Sequence, residues 1–263
     1  MVRGGSGRGG WVAAAGWLAA CLAVATCAPS RAAAEGLAEI LARGNAAYRA
    51  GNFAAAAREY ETIRSTGGAT PDLHFNLGNA YAKSGEIGKA VASYERSRLH
   101  APRDRELLEN LAMVREQCVD QEPSGAGLAA RAVSSAVSNL TADEWTAIFL
   151  TGYLGLLGSI VGPYFWPGTG ALWGRLLRVA VALSIAGGVG IGIWHATNGP
   201  GRRGVVEAPE VTVRSGPDTS YLGEFSLHPG SLVRIEGRRE GWLKVRFSPS
   251  LRGWTEATGV EIL

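Results

Sequence analysis

Two long apolar runs dominate the hydrophobic pattern of the chain, and amphipathic or alternating patterns lie on either side of them. The first run, 145–163, contains no charged residue, and the second, 176–195, contains Arg178 as its only Asp, Glu, Lys or Arg. A bilayer core is crossed by roughly 20 apolar residues of helix, so each run is long enough to span a membrane. Aromatic residues mark the ends of both runs, as they do at membrane–water interfaces. The pattern predicts a transmembrane hairpin whose two helices are joined by a loop at 164–175.

Before the hairpin, residues 37–104 repeat themselves at a spacing of 34. Small residues and a tyrosine recur in register: Gly44 with Gly78, Asn45 with Asn79, Gly51 with Gly85, Ala56 with Ala90, and Tyr60 with Tyr94. Small residues let two helices cross closely, and the aromatic fills the gap toward the next unit. The period and these identities resemble the tetratricopeptide repeat, a helix pair that stacks into a superhelix. We expect units at 37–70 and 71–104, then a capping helix at 104–118.

The resemblance implies a concave binding surface lined by the first helix of each unit, within the soluble region 35–118. Four asparagines fall on these helices and are the candidate peptide-binding residues: Asn45, Asn76, Asn79 and Asn110. In peptide-binding members of the family, asparagines at the positions of Asn45 and Asn76 bind the backbone of an extended peptide. Basic residues that hold a terminal carboxylate in those members are replaced here by Leu41, Glu106 and Asn110, so no carboxylate clamp is expected. The alternative is that the asparagines are capping or solvated residues.

The N-terminal segment 1–34 has the pattern of an export signal. Basic residues precede an apolar run, and small residues at 32–34 form a site for cleavage before Glu35. A lipoprotein-like cleavage box before Cys21 leaves lipidation of that cysteine as an alternative. In either case the region that follows is predicted to be exported. Cys118 is then the single cysteine of the mature soluble chain, so no internal disulfide is expected.

Residues 119–144 are predicted to be a linker with an interfacial helix along the membrane surface. At its end, Thr141 and Glu144 have the spacing of a capping box, which predicts the start of the first apolar helix. Earlier in the chain, Thr70 followed by Pro71 predicts a helix start of the same kind, since Pro is tolerated in the first turn.

After the hairpin, residues 205–263 consist of short Val- and Ile-rich runs separated by turn signals, which predicts a small all-β domain. The sequence from Val211 to Pro217, the turn before Gly230 and two Gly-Trp pairs resemble bacterial SH3 domains, so we expect a barrel of five or six strands. Tyr221, Trp242 and Trp254 are the candidate ligand groove. The alternative, which we favour at this point, is that both tryptophans belong to the core.

Charge and motif content exclude several classes of function. Residues 37–118 contain eleven Lys or Arg against ten Asp or Glu, and 205–263 contain seven against eight. These near-balanced counts predict no basic stripe in either soluble part and therefore no nucleic-acid partner. Zinc-binding spacings, phosphate loops and nucleophile elbows are missing from the sequence. We expect no metal, no cofactor and no enzymatic activity.

The order of modules resembles that of BatE-like proteins of bacterial aerotolerance operons. The predicted fold class is a multidomain membrane protein with an all-α tetratricopeptide superhelix, a transmembrane hairpin and a small SH3-like barrel. The resemblance implies a scaffold in the bacterial inner membrane, with both soluble modules in the periplasm. Its implied partners are von Willebrand A-type Bat proteins and a MoxR-type ATPase system. The alternatives are a cell-wall sensor that binds peptidoglycan through the SH3-like domain, or an accessory subunit of an envelope enzyme.

Overall fold

The computed structural model describes residues 31–120, 133, 135–166 and 168–263. The predicted signal sequence up to residue 30, with Cys21, and most of the predicted linker therefore lie outside the described residues. The described part contains a helical region that resembles tetratricopeptide repeats, two long apolar helices and an antiparallel sheet, in that order. This organisation fits a multidomain protein.

Five helices form the repeat region: α1 (Arg31–Arg49), α2 (Phe53–Ser65), α3 (Pro71–Ser84), α4 (Ile87–His100) and α5 (Arg105–Arg115). The predicted start at Thr70 is confirmed, because its side chain accepts a hydrogen bond from the Leu73 amide at 3.1 Å and Pro71 opens the helix. Gly85 caps the C-terminus of helix α3, and its φ of 80° is one that glycine adopts without strain.

The two helix pairs repeat the same close contact between a glycine and a tyrosine. A Cβ atom added at Gly44 would lie 2.6 Å from the Tyr60 ring, and one added at Gly78 would lie 2.5 Å from the Tyr94 ring. Both tyrosines are 2% exposed, so a side chain at either glycine would push a core ring out of place. The sequence repeat of 34 residues therefore corresponds to a repeat in the structure.

The two apolar helices are α6 (Ala142–Phe165) and α7 (Gly170–Asn198), and both are long and apolar enough to cross a membrane. The capping box at Thr141 and Glu144 is confirmed, with both reciprocal hydrogen bonds formed. Helix α7 begins at Gly170, inside the segment 164–175 that was predicted to be a loop. This earlier start has a packing reason, since it brings Trp173 against Gly162 of α6.

Seven strands form the C-terminal sheet: β1 (Arg203–Val206), β2 (Val211–Arg214), β3 (Gly223–Leu227), β4 (Leu232–Arg239), β5 (Trp242–Arg246), β6 (Arg252–Glu256) and β7 (Val260–Ile262). Their order is β3-β2-β6-β5-β4-β1-β7, and every pairing is antiparallel. The expectation of five or six strands is wrong, because the sheet also contains the short terminal strand β7, which pairs with β1. Buried residues of six strands, including Val206, Val213 and Val245, share one core, so the sheet curls around it.

Candidate functional site

The four candidate asparagines lie on the first helices of the repeats, as predicted, but two of them already serve the fold. Tyr60 donates its hydroxyl to Oδ1 of Asn45 at 2.7 Å, and Tyr94 donates to Oδ1 of Asn79 at 2.6 Å. Each bond joins the first and second helix of one unit across 15 residues of sequence. Asn45 and Asn79 therefore help to hold the two helices of a unit together.

The other two asparagines are more available to a ligand. Asn110 donates Nδ2 to Oδ1 of Asn79 at 3.1 Å and keeps its carbonyl oxygen free of described hydrogen bonds. Asn76 is half-buried and forms no side-chain hydrogen bond with another described residue. Peptide binding stays a prediction for all four, and Asn76 is the position at which a ligand contact can be removed without breaking a contact of the fold.

The tyrosines that hold the asparagines remain protonated donors at any physiological pH. Burial, followed by the charge of Tyr48, raises the pKa of Tyr60 above its ordinary value. Burial also raises the pKa of Tyr94. Their hydroxyl groups therefore fix the orientation of the Asn45 and Asn79 amides, and each amide presents its Nδ2 donor away from the tyrosine.

The sheet is attached to the second helices of the repeats, and Glu95 of α4 is at the centre of this docking contact. Glu95 is fully buried, and its carboxylate contacts three arginines: Arg98 at 2.9 Å, Arg203 of β1 at 2.9 Å, and Arg115 of α5. Burial alone would raise the pKa of Glu95, but the arginines outweigh burial and lower it to about 2. A buried carboxylate is thus kept charged by cations from three elements of two modules.

A second group of contacts joins the end of the repeat region to the turn before β4. Asp120 accepts hydrogen bonds from the His228 amide at 2.6 Å and from the Ser231 hydroxyl at 2.7 Å. Burial raises the pKa of Asp120, but these hydrogen bonds outweigh burial and lower it. Asp120, which lies in the predicted linker 119–144, is therefore a contact of the sheet.

Two glycines allow the backbones of the modules to approach within van der Waals distance. A Cβ atom at Gly88 of α4 would lie 2.6 Å from the Val206 carbonyl oxygen, and one at Gly230 would lie 2.3 Å from Sγ of Cys118. Cys118 is buried by this contact, and burial raises the pKa of its thiol. Cys118 therefore belongs to the docking contact between the repeats and the sheet.

Sequence reasoning missed the docking contact as a whole. Its partners are far apart in the chain: Glu95 and Arg203 are 108 positions apart, and Arg96 and Glu261 are 165 positions apart. One signal was available, because Glu95 lies on the buried face of α4, one residue after the core Tyr94, where an unpaired carboxylate would be costly.

The candidate ligand groove of the sheet is not assembled as predicted. Trp242 and Trp254 are half-buried on the outer face and are not part of the sheet's core, so the favoured assignment of both to the core is wrong. Trp242 borders a cavity of about 250 Å³ together with Arg214 and Glu256. Neither Trp254 nor Tyr221 lines that cavity, and Tyr221 packs instead on Gly216.

Comparison with known proteins supports one part of this architecture. Residues 71–104, which comprise α3 and α4, match the tetratricopeptide repeat family. No curated protein and no solved structure matches the chain. The protein therefore contains a tetratricopeptide repeat, a class of module that generally mediates protein–protein interaction.

Proposed function

We propose that the protein is a non-enzymatic, membrane-anchored scaffold that holds a partner protein on the concave surface of its repeats. One observation carries this proposal. The ion pairs and hydrogen bonds described between the modules involve the second helices and the end of the repeat region, whereas the four asparagines lie on the first helices. The described polar contacts between the sheet and the repeats thus do not involve the four asparagines.

Membrane anchoring is the second part of the proposal. Helices α6 and α7 are long and apolar enough to span a bilayer, and large apolar side chains point outward from the pair, among them Leu154, Ile160 and Ile185. An outward apolar surface is favourable in lipid and unfavourable in water. Because two crossings return the chain to its starting side, a hairpin is compatible with the docking of the sheet on the repeats.

The finer part of the proposal is membership of a Bat-type envelope complex in the bacterial inner membrane, with repeats and sheet in the periplasm. Its support is the order of the modules. The partners expected on this basis are von Willebrand A-type Bat proteins and a MoxR-type ATPase system.

The test is recovery of partners with the tagged full-length chain from detergent-solubilised membranes, in the wild type and in Asn76→Ala. Loss of a hydrogen bond to a peptide backbone costs about 1 kcal/mol, so recovery is expected to fall roughly fivefold. The unfolding temperature is expected to stay unchanged, because Asn76 makes no described hydrogen bond. Arg58→Ala, an exposed change on α2, is the matched control. Equal recovery with all three proteins contradicts binding on the concave surface.

Peptidoglycan binding by the sheet is the second candidate function. The cavity beside Trp242 favours it, because an aromatic side chain next to Arg214 and Glu256 offers a stacking surface and polar partners for a sugar. Sedimentation of the detergent-solubilised full chain with purified sacculi tests this function. Wild-type protein should sediment and Trp242→Ala should not, and failure of the wild type to sediment contradicts it.

A further inference from the structure

The part of the sheet that the repeats leave uncovered presents six cations on its outer face. Alternate residues of β2, β4, β5 and β6 point outward, and the register places their side chains side by side. We call this surface the basic face, and its cations are Arg214, Arg234, Arg239, Lys244, Arg246 and Arg252. Near-balanced counts for the module as a whole therefore do not exclude a local excess of cations on one of its faces.

The basic face has more cations than carboxylates, and the acidic side chains among the cations are Glu236 and Glu256. Arg234, Arg246 and Arg252 lie directly opposite one another across three adjacent strands, and like charges in such positions are destabilising. Within the described part of the chain, Arg246 is the only one of the six with a carboxylate partner, Glu236 at 2.8 Å. In residues 37–118, by contrast, eight of the eleven cations have one: Arg43, Arg64, Lys89, Arg96, Arg98, Arg103, Arg105 and Arg115.

Aromatic side chains lie among these cations. Trp254 is placed between Lys244 on one neighbouring strand and Arg214 on the other, and Trp242 is opposite Arg239. Tryptophan next to cations is typical of surfaces that lie at the level of lipid headgroups.

The path of the chain brings this face close to the end of α7. Helix α7 ends at Asn198 and β1 begins at Arg203. Because β4 runs antiparallel to β1, with Arg234 opposite Arg203, the turn after β4 returns toward the end of α7. The Arg238 guanidinium packs there, 2.6 Å from where a Cβ atom of Gly201 would be. The β4–β5 turn is a tight one at Glu240 and Gly241, with φ values of 47° and 85°.

From this placement we propose that the basic face binds the phosphate groups of anionic phospholipids in the leaflet at which α7 ends. The inference rests on the membrane anchoring of the proposed function. The short connection after α7 keeps the face near that leaflet, and anionic headgroups supply the counter-charge that the cations lack within the chain. The sheet then holds the docked repeats at a fixed orientation to the membrane.

Amine footprinting of the full chain in nanodiscs tests this inference, because the three lysines of the chain are Lys83, Lys89 and Lys244. Lys244 lies on the basic face, and the exposed Lys83 on the repeats is the internal control. Labelling of Lys244 is expected to slow roughly fivefold or more when phosphatidylglycerol is added to phosphatidylcholine nanodiscs, while labelling of Lys83 is unchanged. The double variant Arg239→Gln, Arg252→Gln should lose this protection, and Arg58→Gln should keep it.

The outcomes are distinguishable from failure of the proposed function. If alkaline carbonate extracts the chain from membranes, the anchoring itself is wrong. If the chain resists extraction but Lys244 is labelled equally in both kinds of nanodisc, the lipid assignment is overturned and the scaffold proposal stands. A third outcome is also possible in neutral nanodiscs, where a single-stranded oligonucleotide could protect Lys244 although phosphatidylglycerol does not. That result would assign the face to a soluble polyanion and would also overturn the lipid assignment.

Discussion

Glu95 has the most demanding environment of any described carboxylate in the protein. Its side chain is inaccessible to solvent, and its charge is balanced by arginines from the repeats and from the sheet. A buried ion pair adds little to stability when compared with a well-packed apolar group, but removing one partner leaves an uncompensated charge. Glu95 therefore favours the one arrangement of the two modules in which its carboxylate contacts all three arginines.

Replacement of Glu95 by glutamine should destabilise the protein by about 3 to 5 kcal/mol, because three arginines lose their shared carboxylate. Denaturant unfolding of the detergent-solubilised chain measures this change. Glu109→Gln is a suitable control, since Glu109 forms an exposed pair with Arg105 in one helix. Equal stabilities of the two variants would show that Glu95 is not the centre of the docking contact.

His74 predicts a pH dependence of stability. Burial, followed by the charges of Arg96 and Arg64, lowers the pKa of His74 to about 4, and its Nδ1 has no hydrogen-bond partner among the described residues. A lowered folded-state pKa means that the unfolded chain binds the proton more readily, so stability is full above pH 6.5 and is lost as pH falls toward 4.

The free energy of unfolding should therefore fall by up to about 3 kcal/mol over this pH range. His74→Gln should remove most of the slope, whereas His100→Gln, at the exposed end of α4, should leave it. The same slope in His74→Gln as in the wild type would contradict the assignment.

At the scale of elements, the helices follow from local sequence more directly than their contacts do. Thr70 and Thr141 begin helices in the way their neighbours predict, because a cap needs only a side chain and an amide three residues on. The strand pattern of the sheet is equally local. The docking of α4 on β1 does not follow from local sequence. It depends on the absence of a side chain at Gly88, and the hydrophobic periodicity of the helix does not predict that requirement.

Gly88→Ala should separate the modules while leaving the repeats folded. The new methyl group would clash with the Val206 carbonyl and the Glu207 backbone, although alanine by itself favours a helix by about 1 kcal/mol. Cys118 reports the result, because undocking exposes its thiol to alkylation, which peptide mass spectrometry quantifies. Gly36→Ala in α1 has no atom within 4 Å of its new methyl group and is the control. Unchanged Cys118 protection in Gly88→Ala would refute the close approach.

At the scale of the whole molecule, docking constrains topology. Arg203 reaches Glu95 of the repeats and Asn198 at the end of α7, and Arg103 of the repeats reaches Glu144 at the start of α6. Repeats and sheet therefore gather at the same end of the apolar helix pair.

Both modules should be labelled from the same side of the membrane in intact cells. Single cysteines at the exposed positions Arg58 and Ser220, in a chain whose own cysteines are replaced by alanine, can be probed with a membrane-impermeant thiol reagent. Labelling of one position without the other, with both labelled after lysis, would be incompatible with the docked arrangement across a two-helix hairpin.

The sequence by itself determined the order of the modules, the repeat of 34 residues, the helix starts and the apolar helices, because each depends on contacts between residues close in the chain or on local composition. The tertiary structure alone decided which groups meet across more than a hundred residues: Glu95 with Arg203, Asp120 with His228, and Cys118 with Gly230. It also decided that Asn45 and Asn79 serve the fold, and that both tryptophans lie on an outer face with six cations. Strand register and docking fix these positions, and neither register nor docking is a property of any short stretch of sequence.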